Sequence, residues 1–320
     1  MLKMRFGDQG GTTPMTEAEQ WEQAARDMKP FLNSTSSDEW KRRFAAYYSR
    51  RSRRDRTREQ VSTDLGRILH PVGTSFSMVA PRGYVPQGAA VFRARPIDNP
   101  EEISVRKDVG APPRDKAKAG RLNSALEPLL YTAVGSPGTA LCEIRIEPGQ
   151  MFAMARFSMR EPLFAAAIGQ TEELPGLTVR EKKNYNLVMQ FLEDIFNEQA
   201  RRERPNDYIA PEVVAKNYFD YPETYSEGWM YRSVVSLGKG GVNLALRPEV
   251  GERVLELHEV QIGVCTGISG DGLSLGFQTL DFLAAVPGQD ELLSVPDGVR
   301  GPFIPPSRWS ELFTTPDASD

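Results

Sequence analysis

Histidine is the scarcest reactive residue of this 320-residue sequence, which contains only His70 and His258. A serine-hydrolase triad would need one of the two, and the sequence has no G-x-S-x-G elbow to present a nucleophile. Cysteine is equally rare, and no Cys/His pair has the spacing of a zinc site. The sequence also lacks a P-loop lysine motif and a G-x-G-x-x-G turn after a strand. Any catalysis must therefore use carboxylates, arginines, tyrosines and hydroxyls.

Long apolar runs are missing as well. No stretch is long enough to cross a bilayer, and residues 1–14 lack the apolar centre of a signal peptide. The composition is that of a globular protein, with 40% hydrophobic and 26% charged residues and a net charge of -4. We therefore expect a cytoplasmic protein. Its two cysteines, Cys142 and Cys265, lie in apolar segments that read as strands, and we expect them to be buried free thiols.

The chain divides by composition and periodicity into five segments. Residues 1–15 are rich in Gly and Thr and predict a flexible N-terminus, whereas apolar residues at helical spacing predict a small helical region over 16–70. Residues 71–88, with their prolines and glycines, indicate a linker. Residues 89–286 mix strand-like and helical patterns, and 287–320 read as a C-terminal tail. The fold class predicted is α+β, with a mixed or mainly antiparallel sheet and packed helices.

An arginine-rich run, Arg50 to Arg58, ends the second predicted helix. Such a run can bind nucleic acid, or it can be a solvated or protein-facing surface. The nearby aromatic residues lie on the apolar side of the helix and so belong to a core rather than to a base-stacking platform. We do not expect nucleic acid to be a partner.

The most informative stretch extends from Gly120 to Ile146. A Gly-Arg turn carries Arg121, a strand-like segment carries Tyr131, and a Gly/Pro loop leads to an apolar segment that contains Glu143. We predict that this last segment, residues 141–144, is a strand. A carboxylate in a half-buried strand is costly unless it is paired or has a function, which makes Glu143 a candidate catalytic residue.

Six short motifs occur in a fixed order around this stretch. They are Phe92-Arg93-Ala94, Gly120-Arg121-x-Asn123, Leu130-Tyr131-x-Ala133, Ala140-x-x-Glu143, Tyr231-Arg232-Ser233 and Asn243-Leu244-Ala245-Leu246. The ordered set resembles the RES domain, a family named for its arginine, glutamate and serine. The resemblance covers roughly residues 88 to 250, about half of the chain. The helical first 70 residues, the segment after 250 and the long segment between Glu143 and Ser233 are additional to the typical family pattern.

The resemblance implies a fold similar to ADP-ribosyltransferases and an enzyme that cleaves NAD. Some RES proteins are NAD glycohydrolases and others are NAD phosphorylases, and many are bacterial toxins inhibited by a cognate antitoxin. NAD is then the substrate, and neither a cofactor nor a metal is expected. Partners would include phosphate, an antitoxin or immunity protein and a second copy of the chain, but no membrane. The resemblance assigns catalytic roles to Glu143, Arg121 and Tyr131 and substrate binding to Arg93, Ser233 and Asn243.

The chemistry of these residue types agrees with such a substrate, if they converge. Two guanidinium groups suit a diphosphate, and a tyrosine can stack on a flat ring. A carboxylate stabilises the positive charge that develops on a sugar carbon when its glycosidic bond breaks. Two other functions fit the same residues: an ADP-ribosyltransferase that modifies a macromolecule, and a nucleotide-binding module without catalytic activity.

Overall fold

The structure is a computed structural model that describes residues 17–51, 56–70, 82–169, 174–197, 208–220, 226–233, 235, 240–268 and 275–295. The predicted flexible N-terminus, residues 71–81 of the predicted linker and residues 296–320 of the predicted tail lie outside these ranges. Of the arginine run, Arg53 and Arg54 also lie outside them.

Three helices form the N-terminal part: α1 (Glu17–Asn33), α2 (Ser37–Arg51) and α3 (Arg58–Leu69). Each has an apolar side, and that of α3 consists of Val61, Leu65, Ile68 and Leu69. A capping box starts α3, in which the Thr57 side chain accepts from the Gln60 amide and the Gln60 side chain accepts from the Thr57 amide. The predicted helical region is thus helical in all three of its segments.

A ten-stranded sheet forms the centre of the molecule. Its strands are β1 (Arg82–Val85), β2 (Ala90–Ile97), β3 (Leu130–Val134), β4 (Met151–Met159), β5 (Leu163–Ile168), β6 (Gly228–Arg232), β7 (Val242–Leu246), β8 (Leu255–Ile268), β9 (Leu275–Ala284) and β10 (Leu293–Ser294). The spatial order is β1-β5-β6-β7-β3-β2-β4-β8-β9-β10. Strands β5 and β6 pair in parallel and all the other neighbours pair antiparallel. The predicted α+β class with a mixed, mainly antiparallel sheet and packed helices is confirmed.

Four further helices connect or cover the strands: α4 (Pro137–Glu143), α5 (Val179–Asn197), α6 (Ile209–Tyr218) and α7 (Pro248–Val254). Short 3-10 turns at 100–102, 106–109 and 114–116 lie between β2 and β3. No described helix is both long and apolar enough to cross a membrane.

The two faces of the sheet bury different cores because side chains alternate along each strand. In β6, Trp229 and Tyr231 pack with the helices, whereas Met230 belongs to the core on the opposite face. Helices α1, α2, α3, α5 and α6 all contribute to the first core, and it is this helical face that carries the site described below.

Helix α5 joins the N-terminal helices to the sheet. Phe191 of α5 stacks on Phe44 of α2 with ring centroids 4.4 Å apart, and the Asn184 amide donates to the Leu32 carbonyl at 2.8 Å. Tyr48 also donates to Asp194 at 2.8 Å. The predicted helical region therefore shares one core with the rest of the described chain.

The arginine run is largely engaged within the protein. Arg50 and Arg56 both bind the buried carboxylate of Asp64, at 2.9 and 2.6 Å, while Arg58 contacts Glu212 of α6 at 3.3 Å. These ion pairs connect α2 with α3 and α3 with α6, which gives Arg50, Arg56 and Arg58 a structural role.

Three segments differ from their predicted secondary structure. Residues 141–144 were predicted to be a strand, and that prediction is wrong: residues 137–143 form α4, because Ser136 caps the helix and Pro137 occupies its first turn. Residues 82–85 of the predicted linker form β1, and residues 293–294 of the predicted tail form β10. Both of these strands lie at the ends of the sheet, where only one side is paired.

Candidate active site

Helix α4 positions Glu143 at its last turn. The Ser136 hydroxyl accepts from the Thr139 amide at 3.1 Å and so fixes the start of the helix. Ala140 and Leu141 are buried in a small core with residues of β2 and β4. Because those two residues face the sheet, Glu143 at the end of α4 lies over the neighbouring strands β6 and β7, half-buried.

Two neutral donors hold the carboxylate. Ser233 Oγ and Asn243 Nδ2 both donate to Glu143 Oε1, each at 2.6 Å. A carboxylate can only accept here, so the Asn243 amide must point its nitrogen toward Glu143. In the part of the chain that the structure describes, Glu143 Oε2 makes no hydrogen bond, which leaves this oxygen available to a ligand.

The antiparallel pairing of β6 and β7 brings the two donors together. Tyr231 lies opposite Asn243, and the Ser233 amide donates to the Gly241 carbonyl at 2.8 Å just beyond β6. Residues 231 and 233 are two apart and so project to the same side of the strand as Asn243. Strand register therefore brings the two donors of the carboxylate together.

Tyr231 also belongs to the site, although it is not among the six site residues predicted from the sequence. It is only 3% exposed and adjoins the Glu143 carboxylate, whose charge acts on its phenol. Burial raises the pKa of Tyr231 above its usual value, and the negative charge of Glu143 raises it further, whereas the positive charge of Arg121 partly opposes the shift. Tyr231 is thus a neutral phenol between the carboxylate side and the arginine side of the site.

Arg121 reaches the site from the turn that precedes β3. Its Nε donates to the Phe196 carbonyl at 3.0 Å, in the last turn of α5, where backbone carbonyls lack helical partners. The guanidinium is half-buried, and its charge acts on the Tyr231 phenol, whose ring lies against the same Phe196 with centroids 5.7 Å apart. The end of α5 thereby holds the cation of the site in place.

The turn that carries Arg121 is fixed by Asn123 and Tyr131. Asn123 Nδ2 donates to the carbonyls of residues 118, 124 and 127, and its Oδ1 accepts from the Tyr131 hydroxyl at 2.7 Å. That hydroxyl also accepts from the Leu122 amide at 3.3 Å. A side chain at Gly120 would approach Asn123 Oδ1 to 2.7 Å and Tyr131 Oη to 2.8 Å, so only glycine fits there. Burial is the main reason that the pKa of Tyr131 is well above its usual value.

Arg93 lies apart from the carboxylate. Its neighbours by strand alternation, Val91 and Ile97, belong to the core on the opposite face of the sheet. Pairing between β2 and β3 ends after two residue pairs, and Arg93 Nη1 donates to the Tyr131 carbonyl at 3.0 Å beyond that point. Its Nε is buried without a partner in the described structure. Burial, with a smaller contribution from the charge of Arg95, lowers the pKa of Arg93 to about 10.

The structure thus brings five of the six sequence-predicted residues into one connected arrangement. Glu143, Ser233 and Asn243 are in direct contact, and Arg121 and Tyr131 are connected to them through Tyr231. Arg93 touches this arrangement only at the backbone of Tyr131. Strand alternation could have revealed Tyr231, because it shares a strand side with Ser233.

The two histidines lie elsewhere, His70 at the end of α3 and His258 on β8, where its Nε2 is 2.6 Å from Ser158 Oγ. Among the described residues, no group of three or more His, Cys, Asp or Glu side chains could hold a metal ion. The groups that the structure brings together at the site are a restrained carboxylate, a guanidinium and neutral hydroxyl and amide groups.

Comparison with known proteins adds no assignment: no protein-family model matches the chain, and a search of curated proteins found no match.

Proposed function

We propose that this protein is an NAD-cleaving enzyme with an ADP-ribosyltransferase-like RES domain, acting as an NAD glycohydrolase or NAD phosphorylase. The observation that carries the proposal is the Glu143 carboxylate, which Ser233 and Asn243 hold by one oxygen while the other has no described hydrogen bond. The motif resemblance and the nearby guanidinium of Arg121 support the same substrate. Together they suit a reaction in which positive charge develops next to a phosphorylated sugar.

Cleavage of the bond between ribose and nicotinamide needs this kind of carboxylate. The C1′–N bond breaks with its electron pair going to the pyridinium nitrogen, so nicotinamide leaves neutral and needs no general acid. The sugar carbon becomes positively charged, and Glu143 stabilises that charge. Oxygen of water or of inorganic phosphate then forms the new bond to C1′, and the attacking water releases its proton to the solvent.

The remaining residues bind and orient in this proposal. Arg121 offers a fork of donors to the diphosphate, and Ser233 and Asn243 fix the carboxylate. Tyr131 and Asn123 keep the Arg121 turn in shape. By the resemblance, the biological role is that of a toxin or defence effector that depletes NAD, with a cognate antitoxin or immunity protein as its partner.

The test is to incubate purified protein with NAD, with and without phosphate, and to separate the products by chromatography. Nicotinamide with ADP-ribose identifies a glycohydrolase, and phosphorylated ADP-ribose that forms only with phosphate identifies a phosphorylase. We expect Glu143→Gln to lower the rate by about 100-fold or more, because an amide cannot stabilise the cation as a carboxylate does. Its circular dichroism and thermal midpoint should stay those of a folded protein.

Glu147→Gln is the matched control, since it makes the same change at an exposed glutamate that lies four residues after Glu143 and outside α4. Its rate should equal that of the wild type. Intact NAD after incubation with the wild type, or full activity in folded Glu143→Gln, would contradict the proposal. Transfer of ADP-ribose to a macromolecule would instead identify a transferase.

A further inference from the structure

Tyr231 lies between the carboxylate half of the site, which is Glu143 with Asn243, and the arginine half, which is Arg121 with the end of α5. Its strand neighbour across the β6–β7 pair is Asn243, which holds Glu143. Its ring lies against Phe196 of α5, with centroids 5.7 Å apart, and the carbonyl of that same Phe196 accepts from Arg121 Nε at 3.0 Å. Asn243 thus connects Tyr231 with Glu143, and Phe196 connects it with Arg121.

Tyr131, the other tyrosine of the site, uses its hydroxyl in the turn before β3. The Tyr131 hydroxyl donates to Asn123 Oδ1 and accepts from the Leu122 amide, so it shapes the turn before β3. Asn123 has no spare donor either, because its amide nitrogen contacts three carbonyls. Tyr131 therefore acts on Arg121 through the backbone of the turn, whereas the ring of Tyr231 lies against Phe196, whose carbonyl accepts from the Arg121 guanidinium.

The side-chain oxygen of Asn243, the residue opposite Tyr231 in the β6–β7 pair, is a second observation on this part of the site. Asn243 is 3% exposed, and its Oδ1 is buried without a geometrically favourable partner among the described residues. Its nitrogen is fixed on Glu143, so the amide cannot turn over to satisfy the oxygen elsewhere. A buried acceptor of this kind is tolerated where a small adjustment, such as a ligand closing on the site, brings a donor to it.

We propose that Tyr231 is a positioning residue of this site: its phenol, set between Phe196 and Asn243, fixes the Arg121 guanidinium relative to the Asn243–Glu143 pair. The inference rests on the proposed NAD-cleaving function, and the resemblance assigns Tyr231 no role. A neutral phenol is needed for it, since a phenolate would repel Glu143. Burial and the charge of Glu143 both raise the pKa of Tyr231 and keep the phenol neutral across the physiological range.

The test is Tyr231→Phe, which removes the hydroxyl and keeps the ring against Phe196. We expect kcat for nicotinamide release to fall about tenfold or more, with a smaller rise of about fivefold in KM, because the displaced guanidinium still binds the diphosphate but no longer places the ribose against Glu143. Tyr218→Phe is the matched control, as it removes a partly buried phenol on α6 outside the site. That variant should match the wild type in kcat.

A double variant separates positioning from a general loss of structure. If Tyr231 acts through Glu143, adding Tyr231→Phe to Glu143→Gln should lower the residual rate by less than about twofold, far short of its effect in the wild type. A tenfold loss in both backgrounds, or a kcat of Tyr231→Phe within about twofold of the wild type, would overturn the inference and leave the proposed function standing.

If the proposed function is wrong, the wild-type protein leaves NAD intact. Calorimetric titration with ADP-ribose then tests the role of Tyr231 by itself. Binding that weakens about fivefold or more in Tyr231→Phe and not in Tyr218→Phe keeps Tyr231 as a positioning residue of a nucleotide site. Equal binding by all three proteins, or no binding by any, overturns the inference as well.

Discussion

Arg93 is a guanidinium whose surroundings do little to compensate its charge. In the described structure it has no carboxylate partner, one of its amino groups donates to the Tyr131 carbonyl, and its Nε is buried and unsatisfied. The pKa of Arg93 is lowered to about 10, so the residue remains a cation at neutral pH while the fold disfavours its charge. The resemblance assigns Arg93 to substrate binding, whereas its position on the side of β2 away from Glu143 argues against contact with a substrate at the carboxylate.

We therefore expect Arg93→Met to separate binding from stability. Loss of the charge removes an uncompensated cation, so the free energy of unfolding should lie within about 1 kcal/mol of the wild type or above it. KM for NAD should rise about tenfold if Arg93 binds the substrate. Steady-state kinetics and urea denaturation measure the two effects.

The neighbouring Arg95 provides the control. It binds Glu102 at 3.0 Å and the Asp108 carbonyl at 2.8 Å, so its charge is compensated within the fold. Arg95→Met should lower stability modestly and leave KM unchanged. An unchanged KM in Arg93→Met would remove Arg93 from the substrate-binding residues.

At the level of elements, Glu212 ties three segments together. It lies on α6, contacts Arg58 of α3 at 3.3 Å, and accepts from Ser124 in the loop after the Arg121 turn at 2.9 Å. Lys216 bridges Glu212 at 3.4 Å and Glu127 of that loop. Burial raises the pKa of Glu212, but the hydrogen bonds from Arg58 and Ser124 and the charges of Arg58 and Lys216 outweigh burial, and the net shift is downward.

This shift predicts a pH dependence of stability. Because the folded-state pKa of Glu212 lies below its unfolded value, its contribution is present above the unfolded pKa of about 4.3 and is lost as pH falls through the folded-state pKa. Glu212→Gln should be less stable than the wild type by about 1–2 kcal/mol at pH 7. Urea denaturation as a function of pH should show that difference shrinking below about pH 4. A difference independent of pH would mean that the charge of Glu212 is unimportant.

The elements with a clear apolar periodicity could be predicted from the sequence and those without one could not. Helix α5 (Val179–Asn197) and strand β7 (Val242–Leu246) follow from helical and strand periodicity. Helix α4 was misread because its apolar residues resemble a buried strand over so short a length. What decides its structure is the cap at Ser136 and packing on β2 and β4.

The site was predictable to a similar degree. Motif order identified Glu143, Ser233 and Asn243, which are in contact although 90 and 100 positions separate the carboxylate from its two donors. The sequence could not show that Arg93 would lie on the side of β2 away from the carboxylate, since the inward face of a strand depends on its neighbours. Nor could it show that Tyr231 would meet Arg121, because that contact depends on where α5 ends.

The molecule as a whole is one structural unit in the part that the structure describes. The core on the helical face includes α1, α2 and α3 together with α5, α6 and the sheet residues Trp229 and Tyr231. The end of α5 holds Arg121, so the N-terminal helices support the site through α5. The predicted helical region therefore takes part in the core that carries the candidate site.

Cooperative unfolding follows from this shared core. Phe191 is 1% exposed and contacts the rings of Phe44 and Tyr47, at 4.4 and 5.3 Å between centroids. Phe191→Ala should cost about 3–5 kcal/mol. Because the cavity would lie between α2 and α5, amide hydrogen exchange should accelerate in α2 and in β6 by the same free energy.

Phe277→Ala serves as the comparison, since Phe277 is 46% exposed on β9 and should cost no more than about 1 kcal/mol. Exchange that accelerates in α2 while β6 keeps its full protection would show that residues 17–70 open as a separate unit. The helices would then be dispensable for the sheet, and Arg121 would keep its place at the end of α5 without them. Equal acceleration in both elements would instead make every core residue of the N-terminal helices a determinant of the site.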